Sequence, residues 1–358
     1  MTTTPEKEHR IRVGITHGDV NSISYEIIIK TLQDPRLLEN YTTIVYGSSK
    51  AASYHRKTLN INDFNFNLVK NAESAHARRA NIINILEDEV KIDLGKSTPI
   101  GGELALLSLE MATDDLIKNE IDIIVTAPIN KKNIQSPKFA FPGHTEYLAR
   151  KFNTKDYLML MIGSSVRIGV ITGHIPLNKV SETLNEDLIM RKIMIMHRSL
   201  IRDFNIMKPR IALLALNPHA GDDGLIGNED ETILKPAIDK AYQQGMMVFG
   251  PYPADGFFGS DTFHQFDGIL AVYHDQGMIP FKLLSFEDGV NFTAGLPYVR
   301  TSPAHGTAFE IAGKNIANPE AFRNAVYLGC EIFNNRMEFD QLNANALHPA
   351  PEEPEIPQ

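Results

Sequence analysis

The stretch GILAVYHDQGMIPFK, residues 268–282, decides how the chain is read. The apolar run Ile269–Tyr273 has the length and continuity of a strand buried on both faces, as in a sheet covered by helices. It stops on His274, with Asp275 beside it, Gly277 close behind and Lys282 a few positions on. A core strand that ends on an imidazole next to a carboxylate is placed for chemistry as much as for packing.

The same kind of run recurs along the chain. IRVGIT (11–16), TTIVYG (42–47), IDIIVTA (121–127), YLMLMI (157–162), RIGVIT (167–172), RIALLAL (210–216) and MMVFG (246–250) also read as strands. Longer amphipathic segments separate them, at Leu104–Asn119, Asn185–Arg202 and Glu231–Gln244. For the last of these, Asn228 is placed to cap and Glu231 follows three residues later. Strands alternating with helices give an α/β class. No Pro- or Gly-rich linker divides the chain, and no internal repeat is present.

The bulk numbers fit a soluble protein. The chain has 358 residues, 43% hydrophobic and 22% charged, with a formal net charge of −9. That charge argues against nucleic-acid binding, which calls for a dominant positive face. One cysteine, Cys330, excludes an intrachain disulfide and a cysteine-based zinc site. The polar start MTTTPEKEHR does not read as a secretory signal, and no run is long enough to span a membrane. The expectation is a cytoplasmic protein whose acidic, Pro-rich end from Pro349 is disordered.

Nucleotide-binding fingerprints fail. LGKSTP (94–99) ends like a phosphate-cradling loop, but Val90 stands where that loop needs its first glycine. Gly221, Gly224 and Gly227 lack the close first pair of a dinucleotide loop.

Three strands end in histidine: RIGVITGH on His174, RIALLALNPH on His219 and GILAVYH on His274. Ligands of open α/β sheets bind outside the carboxyl ends of the strands, so parallel neighbours would bring the three rings to one crevice. Three imidazoles suit a divalent metal with one position left open. Asp222, Asp223 and Asp275 are near enough in sequence to orient the rings. Each histidine taken singly also reads as an ordinary strand-end residue bonded to backbone.

A second group suits an anion. FPGHTEYLA (141–149) sets His144 and Thr145 at the start of a helix, with Glu146 in its first turn. GVNFTAGLPYVRTSPAHGTAFE (289–310) adds Asn291, Arg300 and Thr307 among glycines 289, 295 and 306, and Lys282 supplies a further cation.

With TAPINK (126–131), FPGHTEY (141–147), GHIPL (173–177), LNPHAGDDG (216–224), PADGFF (253–258) and YHDQGMIPFK (273–282), the sequence resembles the 4-hydroxythreonine-4-phosphate dehydrogenase family of pyridoxal phosphate biosynthesis. The likeness runs from about Arg12 to about Asn334. It implies two α/β/α domains flanking a cleft, akin to isocitrate and isopropylmalate dehydrogenases, at residues 1–140 plus 300–358 and 141–299. It also implies a homodimer with shared active sites. His174, His219 and His274 would hold one divalent metal per subunit (zinc, magnesium or cobalt), with ligands drawn from both subunits. His144, Thr145, Lys282, Asn291 and Arg300 would contact substrate, and NAD or NADP would bind without a dinucleotide loop.

The expected reaction is oxidation of 4-phosphooxy-L-threonine followed by decarboxylation, with Lys282 or Asp255 as the base. Two alternatives stand beside it: a related dehydrogenase of threonate or erythronate 4-phosphate, and a three-histidine zinc hydrolase. The chain departs from the family pattern at THGDVNSISYE (16–26), where relatives usually carry more glycine. Asn21, Ser22 and Ser24 there imply a changed loop with consequences for cofactor or substrate preference.

Overall fold

The computed structural model describes residues 9–88 and 90–345, so the Pro-rich end lies outside the described residues. Twelve strands form a single sheet. One half holds β1 (Arg12–Thr16), β2 (Thr42–Gly47), β3 (Asn67–Val69), β4 (Ala80–Asn84), β5 (Ile123–Thr126) and β12 (Val299–Pro303). The other holds β6 (Leu158–Ile162), β7 (Arg167–Val170), β8 (Arg210–Leu214), β9 (Met247–Tyr252), β10 (Gly268–Ala271) and β11 (Val290–Ala294). The order is β3-β4-β2-β1-β5-β12-β11-β6-β7-β10-β8-β9.

Each of the eight apolar runs is a strand, for the reason their composition gives: Val13, Ile15, Ile123, Val125, Leu160, Leu213 and Leu270 are fully buried between helices. β3, β4, β11 and β12 carry no such signal. β3 is three residues long, and β11 (VNFTA) and β12 (VRTSP) alternate apolar with polar residues. Those polar positions are the floor of the candidate site.

The outer strands are parallel within each half, but the centre is not. β11 runs antiparallel to both β12 and β6, and β6 antiparallel to β7. On the far side β7, β10 and β8 are adjacent and parallel, followed by β9. His174, His274 and His219 therefore leave the carboxyl ends of three neighbouring strands, as parallel neighbours require.

The helices at Pro99–Ile117 and Glu186–Arg202 match the sequence reading, each capped by a side chain, Thr98 and Asn185 respectively. The helix expected at 231–244 differs. Its first turn, Asp230–Leu234, is a wide π turn, and the α-helix proper is Lys235–Gln243. Asn228 contributes its backbone carbonyl to the N–H groups of Glu231 and Thr232 rather than a side-chain cap. The buried Asp230 carboxylate explains the wide turn. It reaches back to accept from the N–H of Leu216 (2.7 Å) and Asn217 (3.0 Å), tying off the end of β8.

The segment 16–26 is buried throughout and leads into the helix Ser24–Leu32. Among the described residues no helix is long and apolar enough to cross a membrane.

Candidate active site

The central antiparallel strands build the floor. Residues facing each other across β11 and β12 point to the same side, so Asn291 lies opposite Ser302. On that face the Arg300 guanidinium donates to Thr126 Oγ1 (2.8 Å), Thr293 Oγ1 (3.3 Å) and Ser302 Oγ (3.0 Å). Thr145 Oγ1 lies 3.4 Å from Thr293 Oγ1, which fixes the start of the helix His144–Lys151 over the same spot.

Above this floor is a cavity of about 260 Å³. His144, Thr145, Asn291, Arg300 and His174 all line it, so five of the residues singled out in the sequence meet there. Lys131, Glu146 and His305 line it too and were not selected as site residues from the sequence. The signal for Lys131 was its place in TAPINK, and that for His305 its place in PAHGTAFE.

The electrostatics are those of an anion site. Arg300 is only 2% exposed, and its hydrogen bonds go to hydroxyls rather than to a carboxylate. Burial pulls its pKa down to about 10. Burial, with the charges of Arg300 and Lys131, pushes the His144 imidazole well below its ordinary value. Burial lowers His305 in the same direction. His144 Nε2, Asn291 Oδ1 and His305 Nε2 are sealed from solvent without a hydrogen-bond partner. Buried polar atoms are nearly always paired, so three orphans around one cavity mark where a polar ligand completes the network.

The histidines form a second focus beside it. The His174 and His274 rings have centroids 5.1 Å apart. His274 Nδ1 is 2.7 Å from Asp275 Oδ1, and His174 Nδ1 is 3.8 Å from Glu146 Oε1. With both Nδ1 atoms facing carboxylates, the Nε2 atoms are left for a metal, which is the donor chemistry a divalent ion needs. His219 is exposed and sits in a run of left-handed backbone, with His219 at φ 53°, Ala220 at 55°, Asp222 at 46° and Asp223 at 50°. Non-glycine residues held in that region cost energy and persist mostly at functional turns. Among the described residues no three His, Cys, Asp or Glu side chains of one chain close on a common point.

Asp255 follows β9 in the first turn of the helix Ala254–Gly259 and is exposed. Lys282 is exposed in the last turn of the helix His274–Leu284. Neither lines the cavity of its own chain.

Residues 39–329 match the model of the pyridoxal phosphate biosynthetic protein PdxA. The chain belongs to this family. It is 49% identical over 342 residues to 4-hydroxythreonine-4-phosphate dehydrogenase of Bacteroides thetaiotaomicron, covering 95% of this chain and 94% of that one. It is also 36% identical over 328 residues to D-threonate 4-phosphate dehydrogenase of Pectobacterium atrosepticum, covering 89% and 98%. The crystal structure of 4-hydroxythreonine-4-phosphate dehydrogenase from Klebsiella pneumoniae superposes with a TM-score of 0.78 at 35% identity, covering 90% of this chain and 98% of that one. Isocitrate dehydrogenase from Methylococcus capsulatus shares the fold, with a TM-score of 0.50 at 12% identity. The chain is thus an oxidoreductase of the 4-hydroxythreonine-4-phosphate dehydrogenase family, with an α/β fold that isocitrate dehydrogenase shares.

Proposed function

We propose that this PdxA-family chain oxidises 4-phosphooxy-L-threonine with NAD or NADP and decarboxylates the product to 3-amino-2-oxopropyl phosphate, as a cytoplasmic enzyme of pyridoxal 5′-phosphate biosynthesis. The observation that carries this reading is Arg300: a buried guanidinium with no carboxylate partner, at the base of a cavity ringed by unpaired polar atoms. Glu146 favours its charge only from a distance, and a substrate phosphate supplies the directly hydrogen-bonded counter-ion that a buried guanidinium needs. His144, Thr145, Asn291 and Arg300 hold the phosphate, which fixes the reacting carbon and contributes binding energy remote from it.

His174, His219 and His274 are the ligands we assign to a divalent metal (zinc, magnesium or cobalt), one per subunit. When bound, the metal supplies Lewis acidity toward the substrate's secondary hydroxyl. Lys282 or Asp255 would take the substrate's hydroxyl proton, a bound nicotinamide would supply the hydride acceptor, and the β-keto acid so formed would lose carbon dioxide.

Lys282 and Asp255, away from the cavity of their own chain, are read as reaching a shared active site in a homodimer. Exposed Ile279, Leu283 and Phe286 surround Lys282 with apolar surface of the kind that marks an interface. Residues 1–140 with 300–358, and 141–299, are taken as the two domains flanking the cavity. No nucleic acid or membrane has a part in this reading.

Relatives named for D-threonate 4-phosphate favour a second reading, oxidation of threonate or erythronate 4-phosphate at the same site. The dehydrogenase relatives favour either redox reading over a zinc hydrolase. The test is formation of reduced nicotinamide with each phosphate in turn, with and without metal. Turnover on 4-phosphooxy-L-threonine that vanishes on chelation and in His219→Ala supports the first reading. Faster turnover on threonate phosphate selects the second, and turnover that survives metal removal overturns the scheme.

A further inference from the structure

Of the residues lining the cavity, Glu146 alone is acidic. In a pocket built around Arg300 and Lys131 that is out of place, because a carboxylate repels the anion the others attract. It makes no hydrogen bond to Arg300, whose hydrogen bonds all go to hydroxyl groups, although its charge favours that guanidinium from a distance. The nearer ring is instead that of His174, with Glu146 Oε1 3.8 Å from Nδ1. The other ring of the histidine pair shows what such a partner does: Asp275 Oδ1 meets His274 Nδ1 at 2.7 Å.

We propose that Glu146 is a positioning residue for His174. A small turn of the ring or the carboxylate closes the 3.8 Å gap so that the carboxylate accepts from Nδ1–H, which fixes the tautomer with the Nε2 lone pair bare and steers the ring toward the metal position. Asp275 serves His274 from the adjacent position in sequence. Glu146 serves His174 from another element, the first turn of the helix His144–Lys151. Residues 144, 145 and 146 are consecutive, so one helical turn presents His144 and Thr145 to the substrate and Glu146 to the metal ligand. A shift of that turn moves both sites together.

This inference rests on the reading of His174 as a metal ligand, and the experiment separates the two. Metal-free full-length protein is titrated with Zn²⁺ against a chromophoric chelator for the wild type, Glu146→Ala, Glu146→Gln, His174→Ala and the surface control Glu182→Ala. Inorganic phosphate binding is measured on the same samples. The expected result is loss of tight binding in His174→Ala and a fall of roughly 10- to 100-fold in Glu146→Ala. Glu146→Gln, whose amide oxygen still accepts from Nδ1–H, should recover part of that loss and stands in if the alanine variant does not fold. Phosphate affinity should hold or rise without the carboxylate, whereas general damage to the site would lower it. Wild-type zinc affinity in both Glu146 variants, with His174→Ala impaired, overturns the role of Glu146 and leaves the metal site standing. Wild-type affinity in His174→Ala overturns the metal reading itself.

Discussion

THGDVNSISYE (16–26) and FPGHTEYLA (141–149) look alike as sequences: each has a glycine, a histidine and small polar residues leading into a helix. The structure separates them by what their polar atoms do. In the first segment Asp19 accepts from Asn21 N–H (2.9 Å) and from Asn133 Nδ2 (2.7 Å). Asn21 bonds Thr98 through its amide, Asp93 N–H through its side-chain oxygen and Gly95 N–H through its backbone carbonyl. Ser22 and Ser24 bond each other at 2.8 Å. Thr16, His17 and Glu26 keep unpaired atoms, but they lie inside the core. In the second segment His144 Nε2 and the Tyr147 hydroxyl are unpaired, and His144 belongs to the lining of an open cavity with Arg300. A polar segment bonded into the fold, with its remaining unpaired atoms sealed in the core, is scaffold, and one that turns an unpaired atom to a cavity is a site.

The strongest way to break that contrast is at Arg300. Replacement by Met removes the guanidinium and keeps an unbranched apolar side chain. Truncating a buried charge partner costs about 4 kcal/mol of binding, so kcat/KM should fall by roughly three orders of magnitude. Stability should hold or rise, because a buried charge with no hydrogen-bonded counter-ion opposes folding. Kinetics and a thermal melt on the same sample check both halves. A matching collapse in melting temperature would make Arg300 scaffold instead.

At the other pole, Gly102→Ala should leave the chemistry of the folded fraction intact and lower stability by about 3 kcal/mol. A Cβ at 102 would lie 2.1 Å from the backbone oxygen of Asn133, which cannot swing away as a side chain would. The neighbouring Gly101 has Asp19 Oδ1 at 2.9 Å from the same kind of atom. The packing of the 16–26 and 130–134 segments on this helix start thus depends on two glycines. Urea unfolding measures the loss, and unchanged stability would show that the helix start moves freely.

How much of this the sequence showed follows from the same distinction. Strands whose residues are apolar on both sides, such as β1 and β10, announce themselves, and so do the histidines that end them. β11 and β12 do not, because Asn291, Thr293, Arg300 and Ser302 place polar groups on the face that holds ligand rather than core. The cluster at His144, Thr145, Asn291 and Arg300 was visible as residue types, but its assembly across two antiparallel strands was not. Segment 16–26 was read as a departure bearing on substrate preference. Its Asn21 and Ser24 turn out to be bonded within the fold to Thr98 and Pro128, both remote in sequence. Lys131, Glu146 and His305 went unselected because nothing in a linear chain shows that they share a cavity.

The buried histidines of the scaffold give a pH effect. His17 and His55 stack on either side of Tyr25, at 5.5 and 5.0 Å between ring centroids. Burial pushes His17 down to about 3 and His55 to about 4, from 6.5. Between those values and pH 6.5 the unfolded chain takes up protons that the folded chain refuses. Stability should therefore fall as pH drops from about 6.5 toward 4, by up to ~1.4 kcal/mol per pH unit for each ring. His55→Gln keeps a donor toward the carbonyl of Val20, which His55 Nε2 meets at 2.7 Å, and should flatten that slope. Urea midpoints from pH 7 to 5 decide it. A slope equal to the wild type's would place the acid sensitivity elsewhere, with His144 the next ring to examine.

The smallest effect tests whether the two segments are separable at all. Ser24 Oγ donates to the Pro128 carbonyl at 3.2 Å, and Asp19 N–H donates to the same oxygen at 2.9 Å. Pro128 lines the cavity, so the scaffold loop braces one wall of the site from behind. Ser24→Gly removes one of the two braces and adds backbone freedom, at a cost of about 1 kcal/mol. KM for the phosphorylated substrate should rise only about two- to threefold, with kcat unchanged, since the Asp19 brace and the floor around Arg300 remain. A loss approaching that of the Arg300 variant would mean that position 24 acts on the reacting atoms rather than on the wall, and the line drawn between scaffold and site would have to move.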